Sequence, residues 1–188
     1  NLFRRRGEFD RAVRIHTHLL NRADLPASAR SQALAELGQD YLKGGLLDRA
    51  EDAFTRLLED AHHRFDALRA LLRIYQMERE WLKAVDCARL LEREAGESHG
   101  VAISHFFCEV AAAALEQGRA DEAQKAIDEA LAANRKSVRA LILAGDLEMK
   151  RGNRGDALRQ WRNVEAASPE HVPLIASRVA DAMDAAGD

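Results

Sequence analysis

Histidine and cysteine are the residues of this sequence best suited to bind a metal ion or to act as a nucleophile and its base. The 188 residues include 7 histidines and 2 cysteines. Two imidazoles bind zinc from one helix when they are four positions apart on the same face. His16 and His18 are two positions apart, and His62 and His63 are adjacent. We therefore interpret both pairs as solvated histidines rather than as metal ligands.

His105 and Cys108 are three positions apart, which puts them on one side of a helix. Such a pair could bind zinc or form a thiolate–imidazole couple, and an enzyme built on it is the less favoured alternative. No second cysteine pair or carboxylate completes the site, and Cys108 adjoins a row of packing residues, so we interpret it as a structural thiol. The sequence also lacks a nucleophile elbow, a phosphate-binding glycine loop and an HExxH motif. We predict no catalytic residue, no metal site and no cofactor in this chain.

Arg69 and Arg73 are four positions apart and lie on the same face of a predicted helix. Guanidinium groups hold carboxylates and phosphates through forked, charge-assisted hydrogen bonds. The pair therefore predicts an anion-binding position, and an ordinary solvated arginine pair is the alternative.

The overall charge argues against nucleic acid as a partner. The chain has 28 basic and 31 acidic residues, a formal net charge of −3, whereas nucleic-acid-binding domains carry a basic patch or stripe. The basic run Arg4-Arg5-Arg6 is typical of the cationic end of a helix. Two cysteines outside any CxxC motif suit a reducing compartment. No apolar stretch reaches the ~18 residues that a membrane span needs.

A pair of residues recurs along the chain and indicates that the side chains discussed above belong to a repeated structural unit. A turn-forming glycine precedes an alanine by five positions at four places, and at a fifth place Arg79 replaces the glycine. The alanines follow one another at intervals of 38, 34, 39 and 34 residues. A period of this length is typical of helix-hairpin repeats. The pairs are Gly7 with Ala12, Gly45 with Ala50, Arg79 with Ala84, Gly118 with Ala123, and Gly152 with Ala157.

Each repeat predicts two amphipathic helices. In the clearest repeat, Leu34, Leu37 and Gly38 share one face at helical spacing. Because Gly38 has no side chain, a second helix that carries Ala50 and Phe54 can approach closely there. Ala50 is then the small residue at the crossing, and Phe54 packs beyond it.

This order of small and large residues resembles the tetratricopeptide-repeat family, with leucine at the family's tryptophan position. The resemblance implies an all-α fold, a right-handed α-solenoid of tetratricopeptide-type helix hairpins whose stacked neighbours form a continuous core. We expect a single array over residues 1–188 that begins and ends within a repeat, as an internal fragment of a longer array would. Its approximate units are 1–24 (partial), 31–61, 65–95, 104–135, 138–169 and 172–188 (partial).

In this family the first helix of each hairpin lines a groove that binds protein partners, so the resemblance implies a groove formed by residues offset from the packing face. Members that clamp a C-terminal carboxylate use a lysine and an asparagine one turn apart. The matching positions here hold Ala35 with Gln39 and Arg69 with Arg73, which argues against a chaperone-tail clamp. The predicted groove residues are Gln39, Arg69, Arg73, Gln76, His105, Glu109, Arg139 and Asp146.

Several longer segments carry a closer resemblance. They are Asn1-Leu2-Phe3-Arg4, Asp10-Arg11-Ala12, Asp48-Arg49-Ala50-Glu51-Asp52, Ile74-Tyr75-Gln76, Glu80-Trp81, and His105-Phe106 with Cys108-Glu109. These segments resemble the branch of tetratricopeptide proteins that regulates lipopolysaccharide synthesis in Gram-negative bacteria. Beyond them only the repeat pattern continues.

This closer resemblance implies a non-enzymatic adaptor at the cytoplasmic face of the inner membrane. Such proteins promote degradation of the deacetylase LpxC by the membrane protease FtsH, so the expected partners are these or other lipopolysaccharide-assembly proteins. They carry an N-terminal transmembrane helix and a C-terminal rubredoxin-like zinc module with two CxxC pairs, neither of which is in this sequence, and we expect the chain itself to be soluble. A generic tetratricopeptide scaffold for another multiprotein complex is the alternative.

Apolar residues near the two ends predict one further contact. We expect Leu2, Phe3, Ile175 and Val179 to be exposed where the array is interrupted. Exposed apolar faces of repeat arrays pair readily, so these residues predict a dimer through the ends.

Overall fold

Helix hairpins form the chain. The computed structural model describes the backbone of residues 2–184 and the side chains of residue 8 and of residues 10–184. No strand occurs within residues 2–184, so the predicted all-α fold is confirmed. The helices are α1 (Leu2–Leu20), α2 (Ala27–Lys43), α3 (Leu47–Leu57), α4 (Arg64–Glu78), α5 (Trp81–Ala95), α6 (Gly100–Glu116), α7 (Ala120–Ala133), α8 (Val138–Lys150), α9 (Arg154–Ala167) and α10 (Ala176–Asp184), with a 3₁₀ helix at Pro169–Leu174.

The helices belong to two compact units. Unit 1, Asn1–Glu97, contains α1 and the hairpins α2–α3 and α4–α5. Unit 2, Ser98–Asp188, contains the hairpins α6–α7 and α8–α9, followed by the 3₁₀ helix and α10. Short loops join the two helices of each hairpin, which therefore pack side by side. The single array over residues 1–188 stays a prediction.

Small residues let the two helices of a hairpin approach closely. Ala50, Ala84, Ala123 and Ala157 are all 0% exposed, as their recurrence predicts. A Cβ atom placed on Gly38 would lie 2.9 Å from the Phe54 ring, and one on Gly145 would lie 2.2 Å from Nε1 of Trp161. The register predicted from the sequence is therefore correct. The residues at these contacts are Gly38 and Phe54 in α2–α3, and Gly145 and Trp161 in α8–α9.

In each complete hairpin, the predicted hinge residue follows the first helix and adopts the left-handed backbone conformation. Gly45, Gly118 and Gly152 have φ angles of 73°, 71° and 82°, which glycine adopts at little cost. Arg79 takes the same place with φ 59° and ψ 27°. The hinge prediction is confirmed at these four positions, including the one where arginine stands for glycine.

The fifth predicted hinge, at Gly7, is absent. α1 runs without a break through Gly7, whereas the sequence predicted a turn there between two helices. The described residues of α1 before Gly7 make less than two turns. Continuing the helix through one glycine costs only about 1 kcal/mol relative to alanine, so the helical hydrogen bonds prevail.

The C-terminal helix begins later than predicted. The partial unit predicted over residues 172–188 implies one helix that starts near Pro173 and runs to Ala186, but Pro173 lies within the 3₁₀ helix and α10 begins at Ala176. Proline cannot donate the backbone hydrogen bond that a helix interior requires, so the chain turns before α10 starts. Ala185 and Ala186 lie outside the described residues.

The apolar face of α10 turns inward, which corrects the expectation that Ile175 and Val179 are exposed. Ile175 is 5% exposed and belongs to the core of unit 2 with Trp161, and Val179 packs against that core. The physical reason is that the 3₁₀ helix and α10 pack against α9, so that their apolar side chains face its core residues. The side chains of Leu2 and Phe3 lie outside the described residues.

The close approach at Gly145 predicts a large loss of stability on substitution. Gly145→Ala would push Cβ into the indole of Trp161 and lower the free energy of unfolding by about 1–3 kcal/mol. Gly155→Ala is the matched control, because a Cβ there would meet no atom within 4 Å. Urea unfolding followed by circular dichroism measures both variants. Equal stability of the two variants would contradict the close-approach interpretation.

For Arg79 we predict that substitution by glycine increases stability, because its backbone is in the left-handed conformation. Arg79→Gly should raise the free energy of unfolding by about 0.5–1 kcal/mol, because relief of the left-handed backbone exceeds the added entropy of the unfolded chain. Arg79→Ala keeps the steric cost and should give no such gain. The same urea titration compares them, and a destabilised glycine variant would show that the arginine side chain itself supports the turn.

Candidate functional site

A depression of about 500 Å³ lies between the first helices of the two hairpins of unit 1. We call it the α2–α4 groove. Three of the predicted groove residues, Gln39, Arg69 and Arg73, lie together in its wall, and the fourth from this unit, Gln76, is exposed further along α4. The lining residues are Gln32, Ala35, Glu36, Gln39 and Leu42 from α2, Phe54 and Leu57 from α3, and His63, Asp66, Ala67, Arg69, Ala70 and Arg73 from α4 and the turn before it.

The helical repeat explains why polar side chains face the groove. In α2 the buried stripe contains Leu34, Leu37 and Gly38, which pack against α3. The side chains offset from that stripe, at positions 32, 36 and 39, are exposed and recur every three or four residues. The same rule in α4 exposes positions 66, 69 and 73. The hairpin contacts therefore fix which residues the groove presents.

Arg69 is held by two carboxylates of its own unit. Its Nε donates a 3.0 Å hydrogen bond to Oε1 of Glu97, and its Nη2 donates to the same oxygen. Its Nη1 donates a 2.8 Å hydrogen bond to Oδ1 of Asp66. The hydrogen bonds that Arg69 donates to Glu97 are the main cause that raises the pKa of Arg69. The guanidinium is therefore charged and fixed in orientation.

The groove also carries charges that are not paired within the described residues. Arg73 forms no hydrogen bond or ion pair with another described side chain. Glu36 accepts a 3.0 Å hydrogen bond from Nε2 of Gln32 and forms no ion pair with another described residue. A partner in this groove thus meets one available positive charge and one available negative charge.

Three of the predicted groove residues of unit 2 are joined to one another, and the fourth, Asp146, is joined to Arg178 on α10. Arg139 on α8 forms an ion pair with Glu109 on α6, and Nε2 of His105 lies 3.8 Å from Oε1 of the same glutamate. Nε of Arg178 donates a 2.8 Å hydrogen bond to Oδ1 of Asp146. In this unit α6 packs directly against α8. These ion pairs therefore connect α8 to α6 and to α10.

The cysteines are buried thiols. Cys108 is 0% exposed, and its Sγ lies 3.9 Å from Oγ of Ser137. Burial raises the pKa of Cys108, and it raises the pKa of Cys87 to about 11. Both sulfurs are therefore protonated at neutral pH and poor nucleophiles. Within the residues that the structure describes, no three histidine, cysteine or carboxylate side chains are grouped as a metal site would require.

His16 is not simply solvated, which corrects one interpretation from the sequence. Its Nδ1 lies 2.7 Å from Oδ2 of Asp40, and this hydrogen bond joins α1 to α2. The two residues are 24 positions apart, so helical spacing gives no sign of the contact. His62 and His63 lie in the turn between α3 and α4, as expected.

Glu97 is the residue of this site that the sequence did not indicate. It follows Gly96, the left-handed cap of α5, and reaches Arg69 across 28 positions. The available signal is an acidic residue directly after a glycine, a residue type that commonly ends a helix. The pairing itself depends on how α4 and α5 pack.

These observations define the class of protein. Hairpins with left-handed hinges, small residues beneath aromatic rings and a polar groove on the first helices are features of a tetratricopeptide-type protein-interaction scaffold. The chain is 39% identical over 172 residues to lipopolysaccharide assembly protein B of Escherichia coli strain K12, a match that covers 92% of this chain and 44% of that protein. Over this stretch the chain is therefore similar in sequence to a part of lipopolysaccharide assembly protein B.

A second relative has the same name and matches a similar share of the chain. The chain is 33% identical over 175 residues to lipopolysaccharide assembly protein B of Haemophilus influenzae Rd, covering 93% of this chain and 44% of the relative. The chain thus spans less than half the length of the curated relatives it matches. No protein-family model matches it.

A solved structure of MamA is 19% identical, covering 90% of this chain and 94% of that one with a TM-score of 0.47. This likeness is too weak to indicate a shared function. Among the described helices, none is both long and apolar enough to cross a membrane.

Asp60 lies in the turn that leads into α4, beside the groove. Its hydrogen bonds predict that their contribution to stability depends on pH. The Ser31 hydroxyl, followed by the backbone N–H of His62, lowers the pKa of Asp60. Its stabilising effect is therefore present above the unfolded carboxyl pKa of about 3.9 and is lost as the pH falls through the lower folded value. Asp60→Asn should lower Tm at neutral pH, and the difference from wild type should shrink as the pH falls below about 3.9.

Thermal unfolding at a series of pH values measures this difference. Asp181→Asn is the control, because Asp181 is an exposed carboxylate without a hydrogen bond or ion pair to another described residue. A loss of Tm that is the same in both variants would show that general charge, and not the contact with Ser31, is responsible.

Proposed function

We propose that this chain is the partner-binding part of an adaptor that regulates lipopolysaccharide synthesis by presenting the deacetylase LpxC to the protease FtsH. The observation that carries the proposal is the 39% identity to lipopolysaccharide assembly protein B over 92% of the chain. The adaptor acts at the cytoplasmic face of the inner membrane. It binds its partners and does not itself catalyse a reaction.

The α2–α4 groove supports a polypeptide as the ligand. Its walls combine amide groups, two arginines and carboxylates, and its floor is formed by apolar residues such as Phe54 and Leu57. A small apolar ligand would leave the charged walls without partners, whereas an extended chain can satisfy them with its backbone and polar side chains. The groove is therefore suited to a segment of a protein partner.

In this proposal, membrane anchoring and zinc binding belong to other parts of the protein. The chain spans 44% of the length of its relatives, which leaves room for the anchoring helix and the rubredoxin-like zinc module with two CxxC pairs. In this proposal the groove selects a partner, and the anchor brings it to the membrane protease.

Replacing Arg73 tests the role of the groove in cells. In a strain depleted of its own homologue, the full-length protein with Arg73→Gln should leave LpxC several-fold more abundant than wild type does, because the available positive charge of the groove is lost. Arg73 is preferred to Arg69 because it forms no ion pair with another described residue, so its replacement breaks none, whereas Arg69 is paired with Glu97. Immunoblotting of LpxC after translation is stopped measures its decay.

The matched control is Arg56→Gln on α3. Arg56 is an exposed arginine outside the groove, 3.8 Å from Asp52. If LpxC decays at the wild-type rate with Arg73→Gln, the groove does not bind this substrate. If the wild-type protein itself fails to restore LpxC decay, the adaptor role is wrong and a scaffold for another complex is favoured.

A further inference from the structure

One of the two arginines predicted to bind an anion, Arg69, already binds a carboxylate of the same chain. Both Nε and Nη2 of Arg69 point to Oε1 of Glu97. Glu97 is the last residue of unit 1 and directly follows Gly96, which ends α5 with φ 68°. The carboxylate is therefore supplied by the segment that leaves the hairpin, and not by a helix of the groove.

The edge of Arg69 that Glu97 occupies is the one best suited to a carboxylate. Nε and Nη2 are two parallel donors on one side of the guanidinium, the geometry of forked arginine–carboxylate pairs. The other side is used by Asp66, through Nη1 at 2.8 Å. One turn along the helix, Arg73 lines the same depression and has no ion pair with a described residue. A carboxylate entering the groove would find Arg73 available and the better edge of Arg69 filled.

We propose that Glu97 is an internal competitor for a two-arginine site that receives an acidic side chain of the protein partner. When the partner binds, its carboxylate takes the Nε–Nη2 edge of Arg69 together with Arg73, and Glu97 is released to solvent. The proposal relies on the proposed function only in that the groove binds a protein segment. It adds the chemistry of the segment, an aspartate or glutamate side chain.

Exposure makes the exchange feasible. The side chains of Arg69 and Glu97 are 51% and 28% exposed, so water screens their attraction. Ion pairs this exposed contribute little to stability, and a carboxylate held by two arginines can displace one held by a single arginine. Removing the charge of Glu97 should therefore strengthen partner binding by only about two- to fivefold.

A neighbouring pair provides a matched control. Nε and Nη2 of Arg64 donate hydrogen bonds of 2.7 and 3.0 Å to the two carboxylate oxygens of Glu94. This pair has the same residue types and also joins α4 to α5, but Arg64 does not line the groove. Neutralising Glu94 changes the net charge as much as neutralising Glu97 does, without freeing a groove arginine.

The experiment is a titration of the 188-residue chain with the peptide acetyl-Ala-Ala-Glu-Ala-Ala-amide, followed by NMR of the arginine Nε–Hε groups. The counterpart with glutamine in place of glutamate is the ligand control. We expect the glutamate peptide to shift the Arg73 signal, Glu97→Gln to tighten binding by about two- to fivefold, and Arg73→Gln to abolish it. Glu94→Gln should bind as wild type does.

Three outcomes would overturn the proposal. They are equal binding of the two peptides, no gain in Glu97→Gln, and an equal gain in Glu94→Gln. If LpxC decay depends on the protein in cells but the glutamate peptide does not bind, the two-arginine site is wrong and the adaptor role stands. If the peptide binds as expected but LpxC decay is unaffected by the protein, the site stands and the adaptor role is wrong.

Discussion

The contact between a glycine on one helix and an aromatic ring on the next is the constraint on which the rest of the structure depends. Gly38 lies under Phe54, and Gly145 lies under the indole of Trp161. A helix can approach its partner this closely in only one register, because one turn of displacement would place a larger side chain against the ring. In these two hairpins the contact therefore fixes the rotation of the helices about their axes, and with it the faces that remain exposed.

The exposed faces follow from that rotation, but their chemistry differs between the two units. In unit 2, charged side chains on the first helices pair across successive hairpins, as Arg139 does with Glu109. In unit 1, α2 and α4 leave a depression whose charges are only partly paired. The same hairpin design thus pairs the charges of its polar face in one unit and leaves some of them unpaired among the described residues of the other.

The sequence predicts the packed parts of this fold well, because a hairpin depends on residues close together in the chain. The alanines at 0% exposure and the left-handed hinge at Arg79 were both identified from a spacing of five residues. Gly7 shows the limit of this reasoning, since a glycine makes a hinge only where two helices must reverse. A local pattern does not reveal whether a partner helix is present.

The site could be predicted only in part, because its electrostatics join distant positions. The positions of Gln39, Arg69 and Arg73 beside the packing face of their helices were enough to predict that all three face one groove. The contacts of Arg69 with Glu97 and of His16 with Asp40 span 28 and 24 positions. Such pairs follow from loop paths and side-chain rotamers, for which a single sequence carries no periodic signal.

Burial of both cysteines has a practical consequence for studying this protein. Cys87 and Cys108 lie within the helix stacks, and neither presents a reactive thiolate to solvent. A new cysteine placed on an exposed helix position would therefore be the preferred target of a maleimide dye or spin label. Site-specific fluorescence and distance measurements can be made on the folded chain while both native thiols, and the packing to which they contribute, remain in place.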